Sequence, residues 1–509
     1  VDLAAGTIAM GTADPITFSG VESLSVNAAG GADTLRVSGS ATYEYRPGAT
    51  ADAGSLTTAS LPISFTNLGS GETLDLSGTS LVAYGTDANN AFVLGTSLSL
   101  DGRVNITRSD LTTLTLEGSA GDDSFAVASG HGYTTVTLNG GPPSSSDVAT
   151  ITGDRTNTVT VQLGTSPVST TDAIVSNAGL GTVNLVGVEV LNVIAGNRNV
   201  TVRGTAENDD LTYQPTGARA GTVTKAGLNL VANLSDVSGL RIDGGDDGND
   251  TLTVLGTAAA DAFTVSPTVI THNTLRGVST ISNIDALYVR GEAGADTFFV
   301  TPGAIPIHLL GGEPTGGPAG DALTVSVTSS VTFQPGLQGG AGRFDAAGSQ
   351  PVYYEQIEQL TVDGDGYVGV TIPGTAGSDV FILTATSPQD DFSVSVNGVT
   401  MTCTDFASAT LEGLDGDDVF TVTPMAGFTT DVAIHGGDPT AGGDTLYVNG
   451  TAAGETIVVD LAAATVRMDT AKPIAFTGVE SLSVNAAGGV DTMRVTGSAT
   501  YQYTPGETQ

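Results

Sequence analysis

The sequence predicts an all-β protein, most simply an elongated parallel β-helix (β-solenoid) with irregular coils. Apolar and polar residues alternate over four or five positions and then stop at Gly, Asp or Asn, as in Leu323–Val325 and Phe420–Val422. This period of two is the signature of short β-strands. Few stretches of helical length escape Gly, Pro or a β-branched run, so we expect almost no helix.

A short unit recurs along the chain and explains why a solenoid is favoured. It begins with a Gly-Thr-Ala turn and an acid, continues through a Phe-x-Val strand, two weaker strands and a Leu-x-Val strand, and closes with a Gly-x-x-Gly-x-Asp turn and another Phe-x-Val strand. Such units cannot bury a face alone, whereas stacked copies share one core. A row of small β-sandwich modules joined end to end is the alternative. The copies run over Gly85–Val127, Gly204–Val254, Gly256–Val300, Gly374–Val422 and Gly450–Val495.

A third element separates some of these units. It is an apolar strand that ends in Gly-Gly-x-Pro, followed by a flexible stretch, an acid and a further strand. It starts at Gly140, Gly311 and Gly436. Pro and small residues predict exposed loops, so we expect Pro142–Ser146 and Pro314–Pro318 to protrude.

A much longer repeat encloses all of this. Val1–Gly48 matches Val459–Gly506 at a constant offset of 458, with 36 of 48 positions identical. We therefore interpret residues 1–458 as one full long repeat of a continuous β-solenoid, and residues 459–509 as the start of the next repeat, a copy of 1–51. A tandem array produces such an overlap naturally.

Composition limits the classes of partner. The chain has 54 acids against 16 bases and a formal charge of −38. Nucleic acid is excluded as a partner, because phosphate binding requires Lys and Arg. An acidic surface suits divalent cations, high-salt media or solubility through self-repulsion. No apolar run reaches the length of a membrane span, and the lone Cys403 cannot form an internal disulfide.

The Gly-x-x-Gly-x-Asp turns resemble the calcium-binding nonapeptide repeats of RTX proteins. The closest matches are Gly118–Phe125, Gly291–Phe298 and Gly413–Phe420. The resemblance implies Ca²⁺ as the cofactor, although the fold requires none. Here the copies lie tens of residues apart, so the alternative is that Gly supplies a positive φ and Asp caps its own turn. The implied calcium ligands are Asp33, Asp123, Asp250, Asp296, Asp418 and Asp491.

More broadly, strings such as GVESLSVNAAGGADTLRV resemble the repeats of giant secreted surface proteins of planctomycete-type bacteria. The resemblance implies an extracellular, cell-surface location. The expected function is a structural segment of a fibre or giant surface protein whose partners are neighbouring copies of the same repeat, end to end. A ligand-binding adhesin stalk, with glycans as partners, is the alternative. A carbohydrate-active β-helix enzyme ranks lower, because the four histidines are scattered and the paired acids lie in repeated turns. We predict no enzyme.

Overall fold

Strict alternation of side chains produces the strands of this protein. In Thr113–Glu117, Leu114 and Leu116 are fully buried while Thr113, Thr115 and Glu117 face outward. The computed structural model describes residues 1–59, 61–142, 146–165, 172–313, 320–336, 340–438, 442–497 and 502. Over these residues it contains strands and turns but no helix, which confirms the all-β prediction.

The strands of the first half of the chain are β1 (Thr7–Ile8), β2 (Ile16–Thr17), β3 (Leu24–Asn27), β4 (Thr34–Val37), β5 (Thr42–Pro47), β6 (Gly54–Thr58), β7 (Ile63–Thr66), β8 (Thr73–Ser77), β9 (Ser80–Tyr84), β10 (Ala91–Leu94), β11 (Leu98–Leu100), β12 (Asn105–Ser109), β13 (Thr113–Glu117), β14 (Ser124–Ala128), β15 (Thr135–Asn139), β16 (Val148–Thr152), β17 (Val159–Leu163), β18 (Ala173–Asn177), β19 (Gly181–Val186), β20 (Val190–Arg203), β21 (Asp210–Gly217), β22 (Ala220–Lys225), β23 (Val231–Asp243) and β24 (Thr251–Leu255).

The strands of the second half are β25 (Ala262–Ser266), β26 (Val269–His272), β27 (Thr280–Ser282), β28 (Ala286–Ala293), β29 (Thr297–Val300), β30 (Ile307–Glu313), β31 (Ala322–Ser326), β32 (Val331–Pro335), β33 (Gly342–Ala346), β34 (Val352–Glu355), β35 (Gln359–Asp363), β36 (Gly369–Pro373), β37 (Val380–Ala385), β38 (Phe392–Val396), β39 (Val399–Thr404), β40 (Ser408–Glu412), β41 (Val419–Thr423), β42 (Asp431–His435), β43 (Thr445–Asn449), β44 (Thr456–Asp460), β45 (Thr465–Met468), β46 (Ile474–Thr477), β47 (Ser481–Asn485) and β48 (Thr492–Thr496).

The chain divides into two units. Unit 1 holds Val1–Thr253 and Thr274–Asp285, and unit 2 holds Val254–Asn273 and Ala286–Gln509. In unit 1, parallel columns run β4–β8–β12, β9–β13–β15–β19 and β10–β14–β16–β20–β23. In unit 2 they run β25–β29–β31–β35–β39, β36–β40–β42–β46 and β37–β41–β43–β47. Parallel columns that pass through several short units confirm the β-solenoid rather than separate β-sandwich modules.

Antiparallel strands leave these columns and return to them. They form the hairpin arms β5–β6–β7 and β17–β18–β19 in unit 1, and β32–β33–β34 and β37–β38–β39 in unit 2. The two weaker strands of the short unit lie in such arms. Arms of unequal length make the coils irregular, as the sequence predicted.

The core consists of stacked like residues from successive coils. Phe92 and Phe125 stack with ring centroids 5.1 Å apart, and Phe381 and Phe420 stack at 4.8 Å. In each pair, the first Phe lies in a Phe-x-Leu strand at the start of the short unit and the second lies in the Phe-x-Val strand that closes it. Each buried side chain of this size contributes about 1.5–3 kcal/mol relative to an exposed one. Cys403 is fully buried in the same kind of column, paired with Val362.

Two predicted features are only partly described. Residues 143–145 and 314–319 lie outside the described part of the chain, so the two protruding loops stay predictions. None of the described residues belongs to a helix that is long and apolar enough to cross a membrane.

Candidate functional site

Five of the six predicted aspartates accept a hydrogen bond from the backbone of a neighbouring coil, namely Asp123, Asp250, Asp296, Asp418 and Asp491. In unit 1, the Asn90 N–H donates to Asp123 Oδ1 at 2.7 Å, the Asp123 N–H donates to Asp147 Oδ1 at 2.6 Å, and the Asp147 N–H donates to Glu189 Oε2 at 2.9 Å. We call such a series a carboxylate ladder. A second ladder of unit 1 joins Asp209 to Asp250 and Asp250 to Asp285, both at 2.8 Å.

Unit 2 repeats the arrangement. One ladder runs Asp261–Asp296–Asp321–Glu358, with all three donor–acceptor distances at 2.7 Å. Another runs Asp379–Asp418–Asp444–Glu480 at 2.7, 2.8 and 2.7 Å. A shorter one joins the Glu455 N–H to Asp491 Oδ1 at 2.9 Å. Each rung therefore fixes one coil to the next at its turn.

The ladders give each turn motif a fixed place. A Gly-Thr-Ala turn supplies the first rung, a Gly-x-x-Gly-x-Asp turn the second, and the acid after Gly-Gly-x-Pro the third. Sequence reasoning identified the second rungs but missed the third and the last. The signal was the acid directly before each strand, which recurs in all of these turn types. The missed acids are Asp147, Asp321, Asp444, Glu189, Glu358, Glu480 and Asp285.

The first rungs carry an additional partner. Asp261 and Asp379 cap their own turns, accepting the Thr257 and Thr375 N–H groups at 2.6 Å. Their other oxygens meet a side chain from a hairpin arm. His272 Nε2 lies 2.9 Å from Asp261 Oδ1, and in the Asp209 turn the Lys225 ammonium pairs with the carboxylate. These first rungs are fully engaged.

Glycine makes the close approach at the second rungs possible. A Cβ added at Gly413 would lie 2.2 Å from Asp418 Oδ2 and 2.1 Å from the Gly436 carbonyl oxygen of the next turn. The following glycine, Gly416, has a φ of 134° and rests against the Gly377 backbone of the preceding turn. Any side chain would clash with backbone at either position, so the motif allows turns to stack at this distance.

The second oxygens of several rungs are buried and accept no hydrogen bond from the described residues. Burial raises the pKa of Asp123, Asp296 and Asp418 to about 6, because the charged form loses its hydration. The backbone N–H on the first oxygen opposes this shift, and neighbouring carboxylates add to it. The pKa of the third rungs is raised for the same reason. The unpartnered atoms are Oδ2 of Asp123, Asp147, Asp296, Asp321, Asp418 and Asp444.

This geometry bears on the calcium hypothesis. Calcium prefers six to eight oxygen ligands, whereas each ladder aspartate holds one oxygen on a backbone N–H and turns the other toward a glycine Cα. Within the described residues, the one group of three acids close enough to share an ion is Asp390, Asp391 and Asp405, outside the ladders. The arrangement favours coil stacking over metal binding, and calcium stays a prediction.

The remaining two predicted aspartates occupy equivalent positions in the long repeat. Asp491 accepts the Glu455 N–H, whereas the Asp33 carboxylate accepts no hydrogen bond from the described residues and its Oδ2 is buried. The carboxylate at this position therefore accepts a hydrogen bond in one copy of the long repeat and none from the described residues in the other.

Comparison with protein-family models and with curated proteins gives no match to this chain.

Proposed function

We propose that this chain is a structural segment of an extracellular bacterial fibre or giant cell-surface protein, built from tandem repeats of about 458 residues. Its acids act inside the fold, where they hold successive coils together. Its cohesion comes from backbone pairing, a core of Val, Leu, Ile and Phe columns, and one carboxylate rung at each turn.

The carboxylate ladders carry the proposal. A catalytic site is a singular departure from a repeat, whereas these buried acids recur in ladders in which a backbone N–H donates to a carboxylate oxygen of the next coil. A rung made by Asp418 on Asp379 has the same 2.7 Å distance as one made by Asp296 on Asp261. The second-rung side chains Asp123, Asp296 and Asp418 are at most 1% exposed, so a substrate at the surface would not reach them. The repeated motif therefore supports a structural role, in which the acids join successive coils.

Imaging of the native material tests the proposal. Gold-labelled antibody against this chain, applied to intact source cells, should mark surface fibres at a regular axial interval. The same antibody on cells that lack the gene is the control. Labelling confined to the cell interior, or surface labelling without an axial repeat, would reject the proposal.

One observation favours the adhesin as the second candidate. Tyr288, His308 and Tyr353 lie on neighbouring parallel strands and stack with ring centroids 4.5 and 4.6 Å apart. All three side chains are half-buried and face outward. Rings with an apolar face and a polar edge are enriched at binding surfaces. Glycans are the ligands that such a surface would take.

A binding assay separates the adhesin from the structural segment. If the aromatic stack binds glycans, Tyr288→Ala and Tyr353→Ala should each lower binding on a glycan array at least tenfold. Tyr367, which is 90% exposed and belongs to none of the three stacked strands, provides the matched control as Tyr367→Ala. Equal binding by all three variants would remove the stack as an adhesive surface.

A further inference from the structure

The N-terminal copy of the long repeat exposes apolar side chains on one face. Met10 is 69% exposed and Ile16 is 57% exposed. Together with Val1, Leu24 and other residues of this copy, they line an open cavity of about 540 Å³. Within the described residues, β2 pairs with β1, β3 with β7 and β4 with β8, and no strand pairs with their edges on this face. Only the end of β4 is bonded there, by the first three residues of the chain.

The C-terminal copy shows what covers this face. Met468 and Ile474, the equivalents of Met10 and Ile16, are 3% and 2% exposed. In unit 2, β42, β43 and β44 pair in parallel with β46, β47 and β48. The last three are the equivalents of β2, β3 and β4. Met468 and Ile474 are therefore covered in the copy that follows these strands, whereas Met493 in β48 is 50% exposed.

Hydrogen bonding identifies the same partner independently. Oδ1 of Asp491 accepts the backbone N–H of Glu455, and no described residue donates a hydrogen bond to the equivalent Asp33 carboxylate. The missing donor is thus a backbone N–H placed like that of Glu455.

We propose that the face formed by the edges of β2, β3 and β4 is a docking surface for residues 428–438 and 442–458 of a second copy of this chain. The inference rests on the proposed function and specifies its joint. Val432 of the second copy lies over Ile16, Leu446 over Leu24 and Ile457 over Leu35, as they do over the equivalent residues in unit 2. The contact is head-to-tail, so each copy that docks leaves a free surface for the next copy.

The chain's own C-terminal copy competes with the N-terminal face of a second copy for the edges of β42, β43 and β44. Residues 459–497 are covalently attached to residues 428–458, and tethering gives them a high effective concentration. The wild-type chain should therefore be monomeric. Release of its C-terminal copy should expose the edges of β42, β43 and β44 to the N-terminal copy of a neighbouring molecule.

Paired substitutions in the full chain test this exchange. Met468→Asp with Ile474→Asp buries two charges between the C-terminal copy and the strands before it, and should therefore release this copy. Faster hydrogen exchange over residues 465–477 would verify the release. Analytical ultracentrifugation should then show oligomers that grow with concentration. Adding Met10→Asp and Ile16→Asp to the same chain should restore the monomer. Met10→Asp with Ile16→Asp alone is the matched control and should stay monomeric.

Two results would overturn the inference: a monomer despite verified release, or oligomers that persist in the quadruple variant. If residues 465–477 stay protected, Val466→Asp is added. Continued protection would then mean that this contact tolerates three buried charges. That result would also refute the inference, which depends on an apolar contact. Surface fibres with an axial repeat, together with a monomeric released variant, would reject this joint and leave the proposed function standing. Oligomers of the released variant, without surface fibres on native cells, would reject the proposed function and leave this joint standing.

Discussion

The backbone N–H of Asp123 donates to Oδ1 of Asp147 at 2.6 Å, although 24 residues separate them along the chain. Asp123 is 1% exposed and Asp147 is 0% exposed. A hydrogen bond to a charged group contributes about 1.5–3 kcal/mol net. The Asn90 N–H makes the equivalent bond to Asp123 across 33 residues. Chain distance varies from rung to rung, and the geometry of the rung does not.

Removal of one rung should destabilise the fold. Asp123→Ala leaves the Asn90 N–H buried without an acceptor, which costs about 1–3 kcal/mol, whereas Asp123→Asn keeps an acceptor oxygen and should cost less. Urea unfolding measures both. The neighbouring Asp122 is exposed, so Asp122→Ala is the control and should change the free energy of unfolding by less than about 0.5 kcal/mol. Equal effects at the two positions would refute a structural rung.

Stability should depend on pH through the second rungs. The folded-state pKa of Asp123, Asp296 and Asp418 is about 6, above the ordinary value of 3.8. The folded state thus binds more protons between these values. The stability contributed by protonation is complete below about pH 3.8 and is lost as the pH rises through about 6.

Thermal unfolding at several pH values measures this effect. The midpoint should rise from pH 6.5 to pH 4.5, and the rise should shrink when Asp123, Asp296 and Asp418 are all replaced by Asn. Replacement of the exposed Asp14, Asp87 and Asp122 by Asn changes the net charge equally and controls for general charge repulsion. A midpoint that falls steadily on acidification would contradict the expectation.

Glycine at the stacking position should be irreplaceable. Gly413→Ala puts a Cβ within 2.2 Å of two oxygen atoms, one of them in the backbone. Overpacking of this kind costs about 1–3 kcal/mol or more. Gly95→Ala meets nothing within 4 Å and is the matched control. Unfolding midpoints in urea compare the two, and a Gly413→Ala variant as stable as Gly95→Ala would show that the turns are not closely stacked.

Thiol labelling should distinguish the two copies of the long repeat. Burial raises the pKa of Cys403 far above that of a free thiol, so the wild-type chain should not react with a thiol reagent until it unfolds. Met10→Cys should react at once and Met468→Cys should stay protected. Similar rates at the two positions would mean that the two copies are covered alike.

Calcium should have little effect on stability. Because the ladder oxygens are committed to backbone N–H groups or turned toward glycine, the thermal midpoint should be the same with calcium and with a chelator. A calcium-dependent rise that disappears in Asp418→Asn would instead establish the RTX-like role.

The strands could be predicted from sequence because period-two alternation is a local property. Phe92 and Phe125, which lie in the first and last strands of one short unit, stack on each other. The partners of the rungs could not. The spacing between Asp147 and Glu189 is 42 residues, and that between Asp123 and Asp147 is 24, because arms and loops of different length intervene. No fixed period links an acid to its donor, so the ladders emerge only when coils are placed on one another.

The unequal hairpin arms have a consequence for how such proteins diversify. A coil tolerates insertions wherever its turn still delivers an acid and a glycine to the neighbouring layer. New surface segments can therefore be acquired without redesign of the interior, which makes the arms natural positions for grafting foreign peptides.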